Sequence, residues 1–324
     1  MKDFNHDSAR TVDEAIELLK NNQGRAKLIA GGTDLLGELK DKVLPTYPEA
    51  LVNIKTIPDM DYIKEESGGL KIGALTKLRE IVTSPLVQES YNILALAAHS
   101  VGSPQIRNMG TIGGNLCQDT RCWYYRYPHQ IGGRIVCRRK GDRGPCLAVK
   151  GDNRYHAIMG GKKCFAVCPS DTATALVALG ATMKIVGPGG DRTIPVGNFY
   201  NPLGNDLCVD EIVTEIQVPR PSVKAKQNFL KFTLRKPIDF AIVSVASVIR
   251  VEAGVCRDAS IALGAVAPAP IRATAAEEMI KEKIIDDAIA ESAAEMAVTG
   301  AKPLSMNAYK VEITKTLVKR AILS

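Results

Sequence analysis

Two glycine-paired turns limit the fold of this chain more than any other feature. They are Ala30-Gly31-Gly32-Thr33-Asp34-Leu35, which follows the strand-like run 26–30, and Asn108-Met109-Gly110-Thr111-Ile112-Gly113-Gly114-Asn115. Paired glycines after a strand let the backbone approach an anion closely and point successive N–H groups at it, while Thr and Asn side chains add donors. Each alone also reads as a plain tight turn. Together, at matching strand ends, they suit a dinucleotide pyrophosphate. Neither matches G-x-G-x-x-G, which argues against a Rossmann site.

Around these turns the chain is periodic. Thr11-Val-Asp-Glu14 is a capping box, and Val12, Ala15, Ile16 and Leu19 recur at helical spacing until Asn21-Asn22-Gln23-Gly24. The strand at 26–30, a short apolar helix after Asp34 and a strand at 51–54 complete a small α/β unit. A second α/β region starts near Pro58, with a strand at 70–74, a helix from Lys77 to Val82 and a longer helix from Leu86 to about Val101. After an interruption, Ser170 caps an Ala/Leu helix, and strands follow near 183–186 and 212–218. The last third has strands at 229–234, 241–251 and 259–266, then turns helical after Pro268-Ala-Pro270, as a separate α+β domain would.

The interruption, from Gln118 to Lys163, is rich in glycine and has no sustained period. A structureless stretch that long inside a compact domain calls for a reason, and a metal centre supplies one. It holds eleven Lys or Arg against three Asp, so a local charge of +8 accounts for the whole net +7 of the chain. Six of the eight cysteines (Cys117, Cys122, Cys137, Cys146, Cys164, Cys168) fall in or beside it. Cys208 and Cys256 stand alone in strand-like contexts and read as core residues. A composition of 45% hydrophobic and 24% charged residues is that of an ordinary globular chain. No apolar run approaches the roughly 20 residues of a membrane helix, and the start has no signal-peptide core, so a cytoplasmic protein is expected. In a reducing compartment, clustered thiols point to metal or redox chemistry rather than disulfides.

Leu28-Ile-Ala-Gly-Gly-Thr-Asp-Leu35 and Gln105-Ile-Arg-Asn-Met-Gly-Thr-Ile-Gly-Gly-Asn115 resemble the two flavin-binding loops of FAD subunits in the xanthine oxidase, or molybdenum hydroxylase, family. The resemblance continues through Pro169-Ser-Asp171, Glu211–Pro219 and Phe229-Leu-Lys231 before Arg235. It implies an α+β chain: a two-subdomain FAD-binding fold of the PCMH/vanillyl-alcohol-oxidase type, with a C-terminal α+β domain as in CO dehydrogenase flavoproteins. The expected boundaries are 1–57, 58–219 with an insert at 118–168, and 220–324. Carried over residue by residue, Ile29, Ala30, Gly31, Gly32, Thr33, Asp34 and Leu35, with Thr111, Ile112, Gly113, Gly114 and Asn115, would cradle the pyrophosphate and neighbouring groups. Asp171 would bind a ribose or adenine-side group, Lys231 would sit near the flavin end, and Val101 and Val213 would pack on FAD.

The insert is similar to that of 4-hydroxybenzoyl-CoA reductase β subunits and certain aldehyde oxidoreductase flavin subunits, where it carries a [4Fe–4S] cluster. The implied ligands are Cys122, Cys137 and Cys146, with Cys164 favoured over Cys168 and Cys117 as the fourth. A surrounding concentration of Arg and Lys would stabilise an anionic cluster. The resemblance further implies a molybdopterin-binding large subunit and a [2Fe–2S] small subunit, as a dimer of heterotrimers, with ferredoxin as donor and neither nucleic acid nor membrane as partner.

Three rival readings exist. Four cysteines can bind structural zinc, although only Cys164-x₃-Cys168 resembles a zinc knuckle. Trp123, Tyr124, Tyr125 and Tyr127 among Arg121, Arg126 and Arg134 could stack on single-stranded nucleic acid. A free-standing flavin oxidase would need a catalytic pair, and none is visible. His6, His99, His129 and His156 are scattered and read as surface or capping residues, so no catalytic residue is assigned.

Overall fold

The structure is a computed structural model that describes all residues except 67, 129, 130, 132, 134, 236 and 237; His129 and Arg134 therefore lie outside the described residues. The first sheet is parallel, with order β1-β3-β2 from β1 (Asn5–Ser8), β2 (Ala26–Ile29) and β3 (Ala50–Asn53). Parallel neighbours need crossovers. These are α1 (Val12–Asn21) and α2 (Leu35–Asp41). Thr11 caps α1 by accepting from the Glu14 N–H, and Glu14 in return accepts from the N–H of Arg10.

The second sheet is antiparallel, with order β4-β5-β10-β6-β7. It comprises β4 (Ile63–Glu66), β5 (Gly69–Gly73), β6 (Thr182–Gly187), β7 (Gly190–Pro195) and β10 (Ile212–Pro219). The chain leaves it after β5 to form α3 (Leu78–Thr83), α4 (Pro85–Ser90), α5 (Asn92–His99), α6 (Pro104–Met109) and α7 (Ile112–Cys117), and returns through α8 (Asp171–Ala178). A short hairpin, β8 (Tyr200–Asn201) and β9 (Gly204–Asn205), lies between β7 and β10.

The single long helix expected from Leu86 to Val101 is broken in two. Tyr91 leaves the helical region at φ −131°, ψ 40°, with its ring fully buried. Gln227 from the C-terminal domain fills the gap: its side-chain oxygen accepts from the Ile93 N–H, and its amide donates to the Ser90 carbonyl. Tertiary partners thus satisfy groups that a continuous helix would have bonded internally.

The third sheet, order β11-β12-β13-β14, is antiparallel: β11 (Ala225–Phe232), β12 (Val243–Glu252), β13 (Val255–Gly264) and β14 (Ile271–Arg272). One face buries Val243, Val245, Ile261 and Leu263 against α9 (Thr274–Ile280), α10 (Asp287–Ala297) and α11 (Tyr309–Leu323). The other turns Ala246 and Ala262 toward the larger core shared by the first two sheets, α5 and α8. Cys256 is fully buried in β13, whereas Cys208, expected in the core, is exposed in the turn before β10. Among the described residues no helix is long and apolar enough to cross a membrane.

Candidate functional site: a glycine-walled cavity beside a four-thiol insert

The two glycine turns meet. A Cβ built on Gly31 would lie 2.7 Å from the carbonyl carbon of Met109 and 3.0 Å from the Gly110 Cα, so only glycine allows the loops to touch backbone to backbone. Gly32 takes a positive φ of 67°, which turns the chain into α2. The loops have different tasks. In the second, the N–H groups of Ile112 and Gly113 already donate to Thr76 and Ala74 carbonyls, and that of Gly114 to Thr111 Oγ1. In the first, none of the backbone N–H groups of residues 31–35 has an acceptor among the described residues. One loop is a braced wall, and the other is a row of unused donors.

Both loops line a cavity of about 510 Å³. Its walls include Ile29, Ala30, Gly31, Gly32, Thr33, Asp34 and Leu35 of the first loop, Thr111, Gly113 and Gly114 of the second, and Val213. Gly113 serves packing as well, because its missing side chain would meet Ala74 at 2.9–3.0 Å. Ile112 is buried in the core, and Asn115 Oδ1 accepts from Ser170 Oγ and Thr172 Oγ1, so neither is a wall. Val101, Asp171 and Lys231 lie outside this cavity. Lys231 Nζ reaches Asp171 Oδ2 at 2.6 Å and the Ser100 carbonyl at 2.9 Å. Burial raises the Asp171 pKa, with Lys231 opposing it.

Sequence reasoning missed Glu38, Asp119, Arg139, Cys168 and Tyr200 as wall residues, whereas Cys117, expected to pack near FAD, is one. The basic surplus of the insert was the one signal pointing to Arg139. Arg126 Nη2 lies 2.7 Å from Asp34 Oδ1 and 3.3 Å from Glu38 Oε1, Arg121 Nη2 lies 3.0 Å from Asp34 Oδ1, and the Asp119 N–H donates to Asp34 Oδ2. The insert is thereby latched to the donor loop. Glu38, buried beside Asp34, is pushed up to about 7 chiefly by desolvation. Trp123 makes edge contacts with Tyr124, Tyr155 and His156, and Arg121 lies over Phe240. The arginine–aromatic run therefore has an internal explanation.

The six cysteines in or beside the insert fall into two groups. Cys122 feels the charges of Cys164 and Cys137, and Cys164 those of Cys146 and Cys137, so Cys164 is the thiol that connects the other three. Cys117 and Cys168 instead act on Tyr200, at the cavity wall. Burial pushes Cys117, Cys122 and Cys168 up to about 12. Among the described residues no group of three or more His, Cys, Asp or Glu is arranged to hold a metal ion. His156, expected at the surface, is buried, with Nε2 3.2 Å from Cys122 Sγ. Burial and Lys310 hold His156 down to about 4 while the thiol is pushed up, which favours a neutral pair over an activated thiolate.

The insert also docks on the C-terminal domain. Asn153 bonds Ser305 Oγ and accepts from the Met306 N–H, Asn307 donates to the carbonyls of His156 and Ala157, and the buried Lys310 ammonium reaches those of His156 and Ala265.

The family described as FAD binding domain in molybdopterin dehydrogenase matches residues 2–221, and the CO dehydrogenase flavoprotein C-terminal domain matches residues 228–324. The chain belongs to this family and carries its FAD-binding domain followed by that C-terminal domain. It is 31% identical to the aldehyde oxidoreductase FAD-binding subunit PaoB of Escherichia coli (strain K12), over 97% of this chain and 96% of that one. It is 28% identical to the carbon monoxide dehydrogenase medium chain of Hydrogenophaga pseudoflava, over 98% and 96%. A solved carbon monoxide dehydrogenase from that organism, lacking the Mo-pyranopterin moiety, superposes with a TM-score of 0.79 at 28% identity, covering 99% of this chain and 96% of that one.

Proposed function

We propose that this chain is an electron-relay subunit of a molybdenum hydroxylase-type complex, holding FAD in the glycine-walled cavity and a [4Fe–4S] cluster on Cys122, Cys137, Cys146 and Cys164. The observation that carries the flavin half is the row of unused N–H donors at 31–35, facing a wall whose own amides are satisfied. That polarity suits the pyrophosphate of a dinucleotide. A bound FAD supplies exchange between one- and two-electron carriers; the residues named here bind and orient it.

The gathering of four thiols away from the Cys117–Cys168 pair supports the cluster half. Among the described residues no group of three or more candidate ligands is arranged to hold a metal ion, so the cluster reading stands on the likeness of the insert and on this grouping of thiols.

The likeness of the insert to 4-hydroxybenzoyl-CoA reductase β subunits supports a partner that removes a phenolic hydroxyl from an aromatic CoA thioester, with electrons from ferredoxin. The relationship to PaoB favours a second reading, an aldehyde oxidoreductase. In either, molybdopterin and [2Fe–2S] subunits complete the assembly. Anaerobic purification with the natural partners, followed by iron, sulfide, zinc and flavin analysis and EPR, tests the relay. About four iron and four sulfide beyond the [2Fe–2S] content, with one FAD, are expected; zinc without extra iron would refute the cluster. Turnover of an aldehyde against 4-hydroxybenzoyl-CoA separates the two substrate readings.

A further inference from the structure

Four carboxyl side chains stand in the cavity wall: Asp34, Glu38, Asp119 and Glu211. Three of them are fully engaged within the protein. Asp34 holds Arg126 and Arg121 on Oδ1 and accepts from the Asp119 N–H on Oδ2. Asp119 accepts from the Tyr125 hydroxyl at 2.6 Å and the Thr120 N–H at 2.7 Å, and pairs with Arg139. Glu211 accepts from Nε and Nη2 of Arg192, both at 2.8 Å, and from the Cys208 N–H. Glu38 differs. Its side chain is only 7% exposed, and its one ion-pair partner, Arg126 Nη2 at 3.3 Å from Oε1, lies closer to Asp34. That oxygen is buried without a hydrogen bond, and among the described residues no donor is bonded to Oε2 either. Buried carboxyl oxygens are ordinarily supplied with donors, so one left bare in the wall of a cavity points to a ligand that brings its own.

We infer that Glu38 is a cofactor-specificity residue, which accepts a hydrogen bond from a sugar hydroxyl next to the pyrophosphate of the bound dinucleotide. This rests on the flavin reading above and not on the cluster. Glu38 lies four positions beyond Asp34, so both are on one face of α2 and Glu38 stands beside the donor loop. In FAD the pyrophosphate is joined to a ribityl chain on one side and a ribose on the other, and both carry hydroxyls. A carboxyl oxygen accepts from a hydroxyl whether or not the group is ionised. Burial pushes Glu38 up to about 7, so near neutral pH it is partly protonated and repels the phosphates less than a full anion would.

The test titrates the full chain, freed of flavin, with FAD, FMN and ADP, in wild type, Glu38→Met and Glu38→Gln. Methionine keeps the bulk of the side chain without an acceptor, and glutamine keeps an acceptor without the charge. Glu38→Met is expected to weaken FAD binding roughly tenfold, whereas Glu38→Gln should stay close to wild type. The same loss should appear with either FMN or ADP but not with both. A loss with FMN assigns the ribityl chain, and a loss with ADP assigns the ribose. Unchanged FAD binding in Glu38→Met would overturn the inference, as would a glutamine variant as weak as the methionine one. Equal losses with FMN and ADP would also overturn it, placing Glu38 in the latch with Arg126 rather than against the cofactor. A wild-type chain that binds none of the three would instead remove the flavin reading itself, and the inference with it.

Discussion

Replacing Gly31 with alanine tests whether the contact between the loops is what shapes the flavin site. The new methyl would stand 2.7 Å from the Met109 carbonyl carbon, 3.0 Å from the Gly110 Cα and closer still to the carbonyl oxygen. Every atom it meets is backbone, so no rotamer change relieves the overlap. Ordinary contact begins near 3.4 Å, and the loops must part by more than half an ångström. Overpacking of this kind costs about 1–3 kcal/mol. If the apo protein relaxes by opening the loops, FAD must close them again, which weakens its Kd by roughly 5- to 150-fold. Gly37→Ala, just beyond the same loop and outside the cavity wall, is the control, since its Cβ would meet nothing within 4 Å. Flavin-fluorescence titration of the apo protein and its Tm report the two effects. A Gly31→Ala protein that binds FAD within twofold of wild type, with an unchanged Tm, would refute the reasoning.

Other outcomes follow from the same geometry. Cys146→Ser should lose iron and the cluster EPR signal while FAD stays bound; full iron content would remove Cys146 from the ligand set. Arg126→Met removes the cation that Asp34 and Glu38 share and should loosen the donor loop, seen as faster FAD release with the second glycine loop equally protected in hydrogen exchange. Glu38 has its pKa raised from 4.5 to about 7, so its contribution to stability is fully present below pH 4.5 and is lost as pH rises toward 7. The loss is at most roughly 3 kcal/mol. Glu38→Gln should flatten that slope in denaturant unfolding followed across this window, and an unchanged slope would contradict the assignment.

Local chemistry made much of this fold readable. Glycine pairs, the Thr11 and Ser170 caps and the alternating strands each act over a few residues, and the helices and strands they announce are present within a few positions. What escaped depends on partners far along the chain. The break at Tyr91 depends on Gln227, the latch joins Arg126 to Asp34 across 92 positions, and Arg139 reaches the cavity by way of Asp119. No periodicity encodes such pairings. Cys208 shows a different limit: a cysteine among apolar neighbours looked like core, yet the turn before β10 leaves it exposed. Gly113 looked like a phosphate contact, but the absence of its side chain also lets α7 rest on Ala74.

The staple between the insert and the C-terminal domain also orders events in time. Asn153 and His156 are held by residues 305–310, about 150 positions downstream. At roughly 5–20 residues per second of synthesis, those partners emerge about 8–30 s after the segment they fasten. Throughout that interval the thiols of the insert are on a nascent chain with no floor beneath them. A cluster of the kind proposed above would therefore be assembled after synthesis, on a chain whose last domain has already closed.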